Sequence, residues 1–352
     1  MLSSVFFREE PELMQTQLEA VIREVEKAIA GKRNVIRKIL MAMLAEGHVL
    51  MDDVPGVGKT TLAVAVSRAI GLDFQRVQFT PDVLPSDLVG FSMYDKDSGE
   101  FRYRPGAISH ANLLLGDEIN RAASKTQSAL LEAMEERQVT VDGTTYPLET
   151  PFIVIATENS VGTAGTQFLP YAQLDRFLVR LSLGYPDYEA QMTLLRDRQQ
   201  ENPLDHVERV AEKEDLLSMQ RETRSVTVRD AILDYITRLA MASRTHEAVE
   251  VGISPRGALF LNRMAKANAY LEGRDYVSGG DVQAVFRDVC AHRVLLKESA
   301  RETGVEQVLD DLLKKVENPD RHGCLQGRNA SGGSQETPKR SFFAGRDRKN
   351  RT

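Results

Sequence analysis

Cysteine and long apolar runs are both scarce in this sequence of 352 residues. The two cysteines, Cys290 and Cys324, lie far apart and match no metal-ligand spacing, so we predict no disulfide framework and assign neither residue a role. The longest apolar runs, such as FIVIA at 152–156, are far shorter than the ~20 residues that a membrane-spanning helix requires. Both absences argue against a disulfide-rich secreted domain and against a helical membrane protein.

A secretion signal is not predicted either. The segment MLSSVFFREEPEL (1–13) contains a short apolar patch, but it has neither a basic lead nor a long apolar stretch. We therefore expect a cytoplasmic protein without membrane insertion, which agrees with the low cysteine content.

Charge is distributed unevenly along the chain. The net charge is −6, yet the segment 317–352 contains eight Lys or Arg against four acids, so the preceding residues carry a net charge of −10. An acidic body makes broad nucleic-acid binding unlikely, because such binding depends on neutralising phosphates. The segment 317–352 is rich in Gly, Ser and charge and lacks periodicity, so we predict a disordered basic tail. A solvated chain end is favoured there over a docking peptide.

The first predicted elements are helices, a strand, a glycine-rich loop and another helix. Residues 13–46 show apolar side chains at three- and four-residue spacing, which predicts amphipathic helices interrupted near Gly31. The apolar face consists of Leu18, Val21, Ile22, Val25 and Ile29. HVLMDD (48–53) predicts a short strand, and KTTLAVAVSRAIG (59–71) predicts a helix ending at its glycine.

Two β-hairpins are predicted further along. FSMYDKDSGEFRYR (91–104) turns at Ser98-Gly99, and QVTVDGTTYPL (138–148) turns at Asp142-Gly143, which is the strongest short hairpin signal. The apolar segments ANLLLGDEI and PFIVIATEN predict buried strands that end in polar residues. Alternating strands and helices favour an α/β fold, with a mostly parallel sheet between helices and chemistry at the carboxyl ends of its strands.

After YPD (185–187) the strand patterns stop and amphipathic helices continue to about residue 316. We therefore predict a smaller, all-helical second domain. The predicted boundaries are an N-terminal tail (1–12), an α/β core (13–184), the helical domain (185–316) and the tail (317–352).

The segment LMDDVPGVGKTTLA (50–63) resembles a phosphate-binding loop, although Asp53 stands where the pattern GxxxxGK(S/T) has its first glycine. A polyphosphate requires converging backbone N–H groups, a helix N-terminus, a mobile cation and a metal ligand. The strand and helix on either side disfavour an ordinary glycine-rich turn. Asp53 precedes the nest of N–H groups, so we predict a structural role for it. The candidate nucleotide-binding residues are Gly56, Val57, Gly58, Lys59, Thr60 and Thr61.

Two acids end the apolar strand LLLGDE. Asp117 and Glu118 follow Lys59 by 58 and 59 positions, a spacing at which a carboxylate can help to hold a metal ion. We predict that Asp117 and Thr60 are Mg²⁺ ligands and that Glu118 deprotonates the attacking water. A strand ending in Asp-Glu is usually just a solvated strand end, so this prediction depends on the phosphate loop.

Three more polar residues are candidates for catalysis. Asn159 ends a buried strand and could position water, although an Asn there is most often a turn former. Arg176 precedes the apolar run FLVRL, which suggests an arginine held at a defined edge. In ISPRGALFL, Ser254 is the predicted N-cap and Arg256 lies in the first helical turn, where a cation opposes the helix dipole. An anionic ligand would account for Arg256.

In combination, these segments resemble the MoxR family of AAA+ ATPases over roughly residues 15–310. The block DEINRAASKTQSALLEAMEE is highly specific for that family, and an Asp before VPGVGKT is common in it. The other matching segments, in order, are EGHVLMDDVPGVGKTTLA, QFTPDVLPSDLVG, PFIVIATEN, LPYAQLDRF and ISPRGAL.

The resemblance implies a role for each matching residue. Lys59 and Thr60 would be Walker A groups, and Asp117 and Glu118 Walker B groups. Asn159 would be sensor 1. The remaining implied roles are Arg176 as the arginine finger for the neighbouring subunit's nucleotide, Arg256 as sensor 2 in the helical lid, and Ala30-Gly31 as a segment near adenine.

The fold implied is an AAA+ P-loop NTPase core with two β-hairpin insertions and a helical lid. The chain departs from the family pattern at Gly116, where a small or apolar residue is usual, and at TENSVGTAG (157–165), which replaces a TQNP stretch. The basic tail has no counterpart. No catalytic group is lost through these departures, but the loop after sensor 1, and any partner surface on it, differs.

The function implied is that of a remodelling chaperone that hydrolyses ATP with Mg²⁺ in a ring, expected to be a hexamer. The resemblance further implies a partner with a von Willebrand factor A domain and a role in maturing or metal-loading client proteins. Three alternatives stay open: an ATPase subunit of a magnesium-chelatase-type complex, a DNA-remodelling ring, and a nucleotide-gated binding module with little turnover. VTVDGTTYPLE lacks the basic character that a DNA-facing hairpin requires.

Overall fold

The structure, a computed structural model, describes residues 6–158, 169–197 and 202–320, with side chains from residue 16 onward. Within these ranges the chain forms twelve α-helices: α1 (Phe6–Ala28), α2 (Arg33–Leu44), α3 (Lys59–Ile70), α4 (Pro85–Val89), α5 (Ser124–Glu136), α6 (Tyr171–Leu174), α7 (Tyr188–Asp197), α8 (Lys213–Ser225), α9 (Asp230–Thr245), α10 (Pro255–Leu271), α11 (Gly279–Cys290) and α12 (Val305–Lys315). Short 3₁₀ helices cover Ile119–Arg121, Pro203–His206, Ala291–Arg293 and Glu298–Thr303.

The same ranges contain eleven strands: β1 (Val49–Asp52), β2 (Phe74–Gln78), β3 (Phe91–Asp95), β4 (Glu100–Arg104), β5 (Leu113–Asp117), β6 (Gln138–Val141), β7 (Thr144–Pro147), β8 (Ile153–Glu158), β9 (Val179–Leu181), β10 (Val249–Val251) and β11 (Leu295–Leu296). Helix α1 begins at Phe6, inside the segment predicted as a tail. The sequence did not indicate this start, because the charged residues 8–10 interrupt any apolar periodicity.

Five parallel strands form the central sheet in the order β2-β5-β8-β1-β9. Strands β5 and β8 are buried along their whole length, as expected for apolar strands covered by helices on both faces. In the register of the sheet Asp52 pairs with Glu158, and Gln78 pairs with Asp117. The carboxyl ends of β1, β5 and β8 therefore meet at one edge, as the sequence predicted.

Both predicted hairpins are present, as β3–β4 and β6–β7. The β6–β7 turn has two residues, Asp142 and Gly143, both with left-handed backbone (φ +49° and +79°), whereas the β3–β4 loop has four residues and ends at the left-handed Gly99 (φ +71°). The rings of Tyr103 and Tyr146 stack with centroids 4.0 Å apart and an interplanar angle of 12°. This stack joins one hairpin to the other.

The second domain is helical, but the prediction of an all-helical domain needs one correction. Strands β10 and β11 form a two-stranded antiparallel sheet within it. Segments of three and two residues are too short to show an alternating pattern, so no sequence signal marks them.

The helical domain and the core share one apolar cluster. The predicted apolar face of α1 is buried in it, and the cluster runs through α2 and one face of the sheet to α8–α12. Polar contacts reinforce this junction: the side-chain amide of Gln220 donates to the Met43 carbonyl at 2.8 Å, and Lys38 pairs with Asp288 at 2.8 Å. A second apolar cluster, which includes Phe79, covers the other face of the sheet.

Candidate active site

The loop between β1 and α3 has the backbone of a phosphate cradle. Gly56 and Gly58 have φ values of +85° and +102°, a region that side-chain-bearing residues rarely adopt. Gly58 is the N-cap of α3, a helix of twelve residues whose amino end faces the loop. Free N–H groups and the helix dipole make such an end favourable for an anion.

Lys59 is buried at the start of α3. Its ammonium donates to the backbone carbonyls of Asp53 at 3.0 Å and Glu158 at 3.4 Å, which lie at the ends of neighbouring strands. Burial lowers the pKa of Lys59, although the nearby carboxylates of Asp53 and Asp117 act in the opposite direction. The lysine is thus held at the strand ends beside the loop.

The buried Asp53 side chain points away from this loop. One carboxylate oxygen accepts from the Ser182 hydroxyl at 2.7 Å and the Gly184 N–H at 3.0 Å, and the other accepts from the Leu183 N–H at 2.6 Å. These donors lie just after β9. The position that lacks the pattern's first glycine therefore holds a structural anchor, in agreement with the prediction.

The predicted metal ligands lie together. The Thr60 hydroxyl donates to Asp117 Oδ2 at 3.4 Å, and the Thr157 hydroxyl donates to Asp117 Oδ1 at 3.2 Å. Arg76 of β2 also donates to Asp117 Oδ2, with its Nε 2.8 Å away. Three residues on three elements thus fix this carboxylate.

Glu118 follows in a left-handed conformation, with φ 57° and ψ 48°. Its backbone N–H donates to the Thr157 hydroxyl at 2.9 Å, so the same threonine fixes both acids. The Glu118 carboxylate pairs with Arg121 at 2.8 Å and is partly exposed at the carboxyl edge of the sheet. A base at this position is accessible to solvent water.

A small cavity of about 120 Å³ adjoins the phosphate loop. Its lining includes Ala30, the loop residues Gly56, Val57 and Gly58, and the apolar side chains of Ala190 and Leu194. An apolar cleft beside a phosphate loop suits a planar base. Ala30, predicted to lie near adenine, lines this cavity.

Arg176 and Arg256 meet at a different place. Arg176 Nε lies 3.0 Å from Glu135 Oε2 and forms an ion pair with it. The geometry is not that of a hydrogen bond. Arg256 donates to the other carboxylate oxygen of Glu135, which is the second-to-last residue of α5. Both arginines line a cavity of about 370 Å³, together with His48 and Arg263.

This cavity lies at the amino end of the sheet. Gly47 and His48, which line it, directly precede β1, whereas the phosphate loop follows the carboxyl end of β1. The four residues of β1 span roughly 13 Å at ~3.3 Å per residue. Arg176 likewise precedes β9, which runs parallel to β1. The structure therefore separates both arginines from the phosphate loop of their own chain.

Ser254 and Asn159 are the remaining predicted residues. Ser254 caps α10 as predicted, because its hydroxyl accepts from the Gly257 N–H at 2.9 Å. Asn159, the predicted sensor 1, lies outside the described residues. Its neighbour Glu158 is described, and burial raises the pKa of this carboxyl to about 7, with the Asp52 carboxylate adding to the effect.

Sequence reasoning missed the roles of three residues at the site. None of Arg76, Thr157 and Glu135 was assigned a role, although Thr157 and Glu135 lie in segments that match the family. Their contacts with Asp117, Arg176 and Arg256 depend on tertiary structure. Thr157 gave a partial signal, because it lies two residues before the predicted sensor 1 on a buried strand.

Two segments of the chain match models of known protein families. Residues 48–179 match the model of the ATPase family associated with various cellular activities (AAA), and residues 241–313 match that of the AAA lid domain. No helix among the described residues is long and apolar enough to cross a membrane.

Individual relatives match over most of the chain. The uncharacterised protein YeaC of Bacillus subtilis is 44% identical over 86% of this chain and 95% of its own length. Chaperone MoxR1 of Mycobacterium tuberculosis is 38% identical over 86% of this chain and 82% of its own length. The crystal structure of a proposed ATPase from Cytophaga hutchinsonii superposes with a TM-score of 0.82 at 37% identity, covering 88% of this chain and 97% of the other. The phosphate loop, the paired acids and these matches together show that the chain belongs to the MoxR family of AAA+ ATPases.

Proposed function

We propose that this protein hydrolyses ATP at the interfaces between subunits of a ring, expected to be a hexamer, and that it uses this cycle to remodel client proteins. One observation carries the proposal: the phosphate loop and the two arginines lie at opposite ends of the sheet. Each subunit would then contribute its phosphate loop to one active site and its two arginines to the active site of a neighbour. Head-to-tail contacts of this kind close into rings when the rotation between subunits permits it.

The residues at the carboxyl edge fit a magnesium ion. Thr60 and Asp117 present a hydroxyl and a carboxylate oxygen to each other at 3.4 Å, and Mg²⁺ prefers such hard oxygen ligands. Bound Mg²⁺ would neutralise charge on the phosphates of the substrate ATP.

The chain's own groups supply the remaining chemistry. The N–H groups of the phosphate loop and the Lys59 ammonium bind and orient the phosphates. Glu118 takes a proton from the attacking water, and Thr157 holds the backbone of Glu118 in place. Asn159 stays a predicted water-positioning residue.

Arg176 and Arg256 would stabilise the charge that develops on the neighbouring subunit's phosphates. An arginine supplied from another chain raises the rate of phosphoryl transfer by about 10³–10⁵ in well-measured cases. Glu135 holds both guanidinium groups side by side in the described chain. We expect the incoming phosphates to compete for these cations.

A mixing experiment tests the shared site. Arg176→Ala subunits keep their own Glu118, and Glu118→Gln subunits keep their own Arg176, so each variant alone should be nearly inactive. Mixed rings should regain activity at interfaces that combine an intact base with an intact arginine. Arg287→Ala, which removes an exposed lid arginine paired with Asp310, is the control and should retain activity.

If the mixture stays inactive although labelled subunits exchange, Arg176 does not act across an interface and the ring mechanism fails. If the parent protein itself shows nucleotide binding but no steady-state turnover, the alternative of a nucleotide-gated binding module replaces the ATPase proposal.

We also propose a cytoplasmic location, a partner with a von Willebrand factor A domain, and a role in maturing or metal-loading clients. Family membership supports this part of the proposal. Affinity capture with the Glu118→Gln variant in ATP tests it, because a form that holds ATP should hold its partner longer than the parent does. Capture of no protein with such a domain would contradict the proposed partnership.

A further inference from the structure

We propose that Arg293, a buried arginine of the helical domain, positions Arg176 and Arg256 so that both enter the neighbouring subunit's site as one unit. This inference rests on the proposed function, in which the two arginines act across an interface. Arg176 belongs to the core and Arg256 to the helical domain, so some element must fix one against the other.

Arg293 donates several hydrogen bonds to the core segment that carries Arg176. Its side chain is 0% exposed, and its Nε donates to the Asp175 carboxylate at 2.8 Å. The same guanidinium donates to the backbone carbonyls of Asp175 at 3.0 Å, Phe177 at 2.5 Å and Leu178 at 3.3 Å. These acceptors flank Arg176 on both sides. The backbone that aims Arg176 is therefore fixed by a residue from the other domain.

The Asp175 carboxylate links Arg293 to the helix that carries Arg256. The Ser254 hydroxyl donates to Asp175, whose two oxygens lie 2.9 and 3.0 Å away, and it accepts from the Gly257 N–H at 2.9 Å. Arg256 lies between Ser254 and Gly257 in the first turn of α10. One carboxylate thus contacts both Arg293 and the cap of the helix that carries Arg256.

Packing confines Arg293 to this path. A Cβ atom added to Gly257 would lie 2.7 Å from Arg293 Cδ, too close for any real contact, so the side chain passes directly under the first turn of α10. The guanidinium carbon also lies 5.1 Å from the centre of the Phe260 ring on the same helix. Both neighbours lie within four residues of Arg256.

Only an arginine satisfies these partners together. Its planar fork has five donors, whereas a lysine offers a single ammonium that cannot reach a carboxylate and several carbonyls at once. The variant Arg293→Lys keeps the positive charge but loses the fork. It therefore tests positioning without leaving Asp175 facing an uncharged side chain.

The test measures steady-state ATPase activity and ATP binding of the full chain. Arg293→Lys should lower kcat by on the order of 10–100-fold, the loss expected when a catalytic group shifts by about an ångström. Affinity for ATP at its own phosphate loop should stay within about twofold, because Lys59 and Asp117 are far from the change. Mixing with Glu118→Gln should restore activity, as it does for Arg176→Ala, since the Glu118→Gln subunits supply correctly held arginines.

Two further variants separate positioning from simple loss of stability. Arg274→Lys is the matched control, because Arg274 makes a two-nitrogen contact with Asp281 wholly inside the helical domain, and it should retain parent kcat. Gly257→Ala keeps Arg293 but displaces its stem. This variant should reproduce the low kcat and the rescue, and it decides the question if Arg293→Lys does not fold.

The failure of this inference is distinguishable from that of the proposed function. If Arg176→Ala is inactive and rescued by mixing while both Arg293→Lys and Gly257→Ala retain parent kcat, only the positioning role is wrong. If the two variants are inactive but not rescued despite subunit exchange, Arg293 acts on its own subunit and the inference is overturned. If Arg176→Ala itself is not rescued, the proposed function fails first.

Discussion

The carboxylate of Asp53 accepts a hydrogen bond from the backbone N–H of Leu183 at 2.6 Å. This bond ties the start of the phosphate loop to the segment that leaves β9. Because Lys59 donates to the carbonyl of the same Asp53, the anchor also fixes one acceptor of Lys59. Asp53, which does not face the phosphates, thereby fixes the position of the first residues of the phosphate loop.

Asp53→Ala should lower the free energy of unfolding by about 2–3 kcal/mol, because buried N–H groups lose their acceptor. ATP affinity should fall by less than about tenfold, roughly 1.4 kcal/mol, since the side chain does not face the phosphates. Denaturant unfolding and ATP titration measure the two effects. Lys59→Ala gives the reference loss for a true cradle residue. An affinity loss of equal size in Asp53→Ala would contradict the structural role.

Glu118→Gln should bind ATP and retain it. The proposed metal ligands Thr60 and Asp117 are unchanged, while the amide cannot take a proton from water. Single-turnover hydrolysis should be slowed far more than ATP binding is weakened. Hydrolysis near the parent rate would show that another group is the base. Glu149→Gln, a change at an exposed acid, serves as the control and should behave like the parent.

Arg256→Ala should act on the neighbouring subunit only. Its guanidinium lies with Arg176 on Glu135, at the end of the sheet opposite the phosphate loop. We expect ATP affinity within about twofold of the parent and a large loss of kcat that mixing with Glu118→Gln subunits restores. A variant that binds ATP much more weakly in isolated, unassembled subunits would place Arg256 at its own site instead.

Glu158 predicts a pH dependence of stability. Its pKa is raised to about 7 in the folded chain by burial and the nearby Asp52, against 4.5 ordinarily, whereas Arg180 acts in the opposite direction. Between these values the folded state holds a proton that the unfolded state has lost, so the free energy of unfolding should fall as pH rises from about 4.5 to 7. Above pH 7 the penalty should be constant.

Glu158→Gln should remove this dependence, because an amide does not titrate. The contribution is on the order of 3 kcal/mol at pH 8, from about 1.36 kcal/mol for each unit of pKa. Denaturant unfolding at pH 5 and pH 8 measures it in both proteins. An equal pH 5 to pH 8 difference in parent and variant would show that Glu158 is not the titrating group.

Local features of the fold were predictable because their signals are local. The left-handed turns at Gly99 and at Asp142-Gly143 follow from residue types that tolerate positive φ. The loop between β1 and α3 follows from glycine spacing and the cap of a helix. Both acids at the end of β5 could be placed at the same edge, since parallel strands end together.

The pairing of Arg176 with Arg256 could not be predicted in this way. Glu135, which joins them, is 121 positions from Arg256. It lies in the family-specific block DEINRAASKTQSALLEAMEE, but that pattern does not indicate which residues Glu135 contacts. The role of Arg293 was equally unpredictable from sequence, because most of its hydrogen-bond acceptors are backbone carbonyls, which carry no sequence information. Such contacts depend on how two domains pack.

The apolar cluster that runs without a break from the core into the helical domain limits how the subunit can move. A hinge between the domains would have to separate α2 from α8 and α10, and β9 from α11, and so expose apolar surface at a cost of about 25 cal/mol for each Å². We therefore expect the two domains of the described chain to move together as one body rather than to open and close against each other. In the ring proposed above, the work of an ATPase cycle would then appear as rotation of whole subunits against one another, with the strain concentrated at the interfaces between subunits.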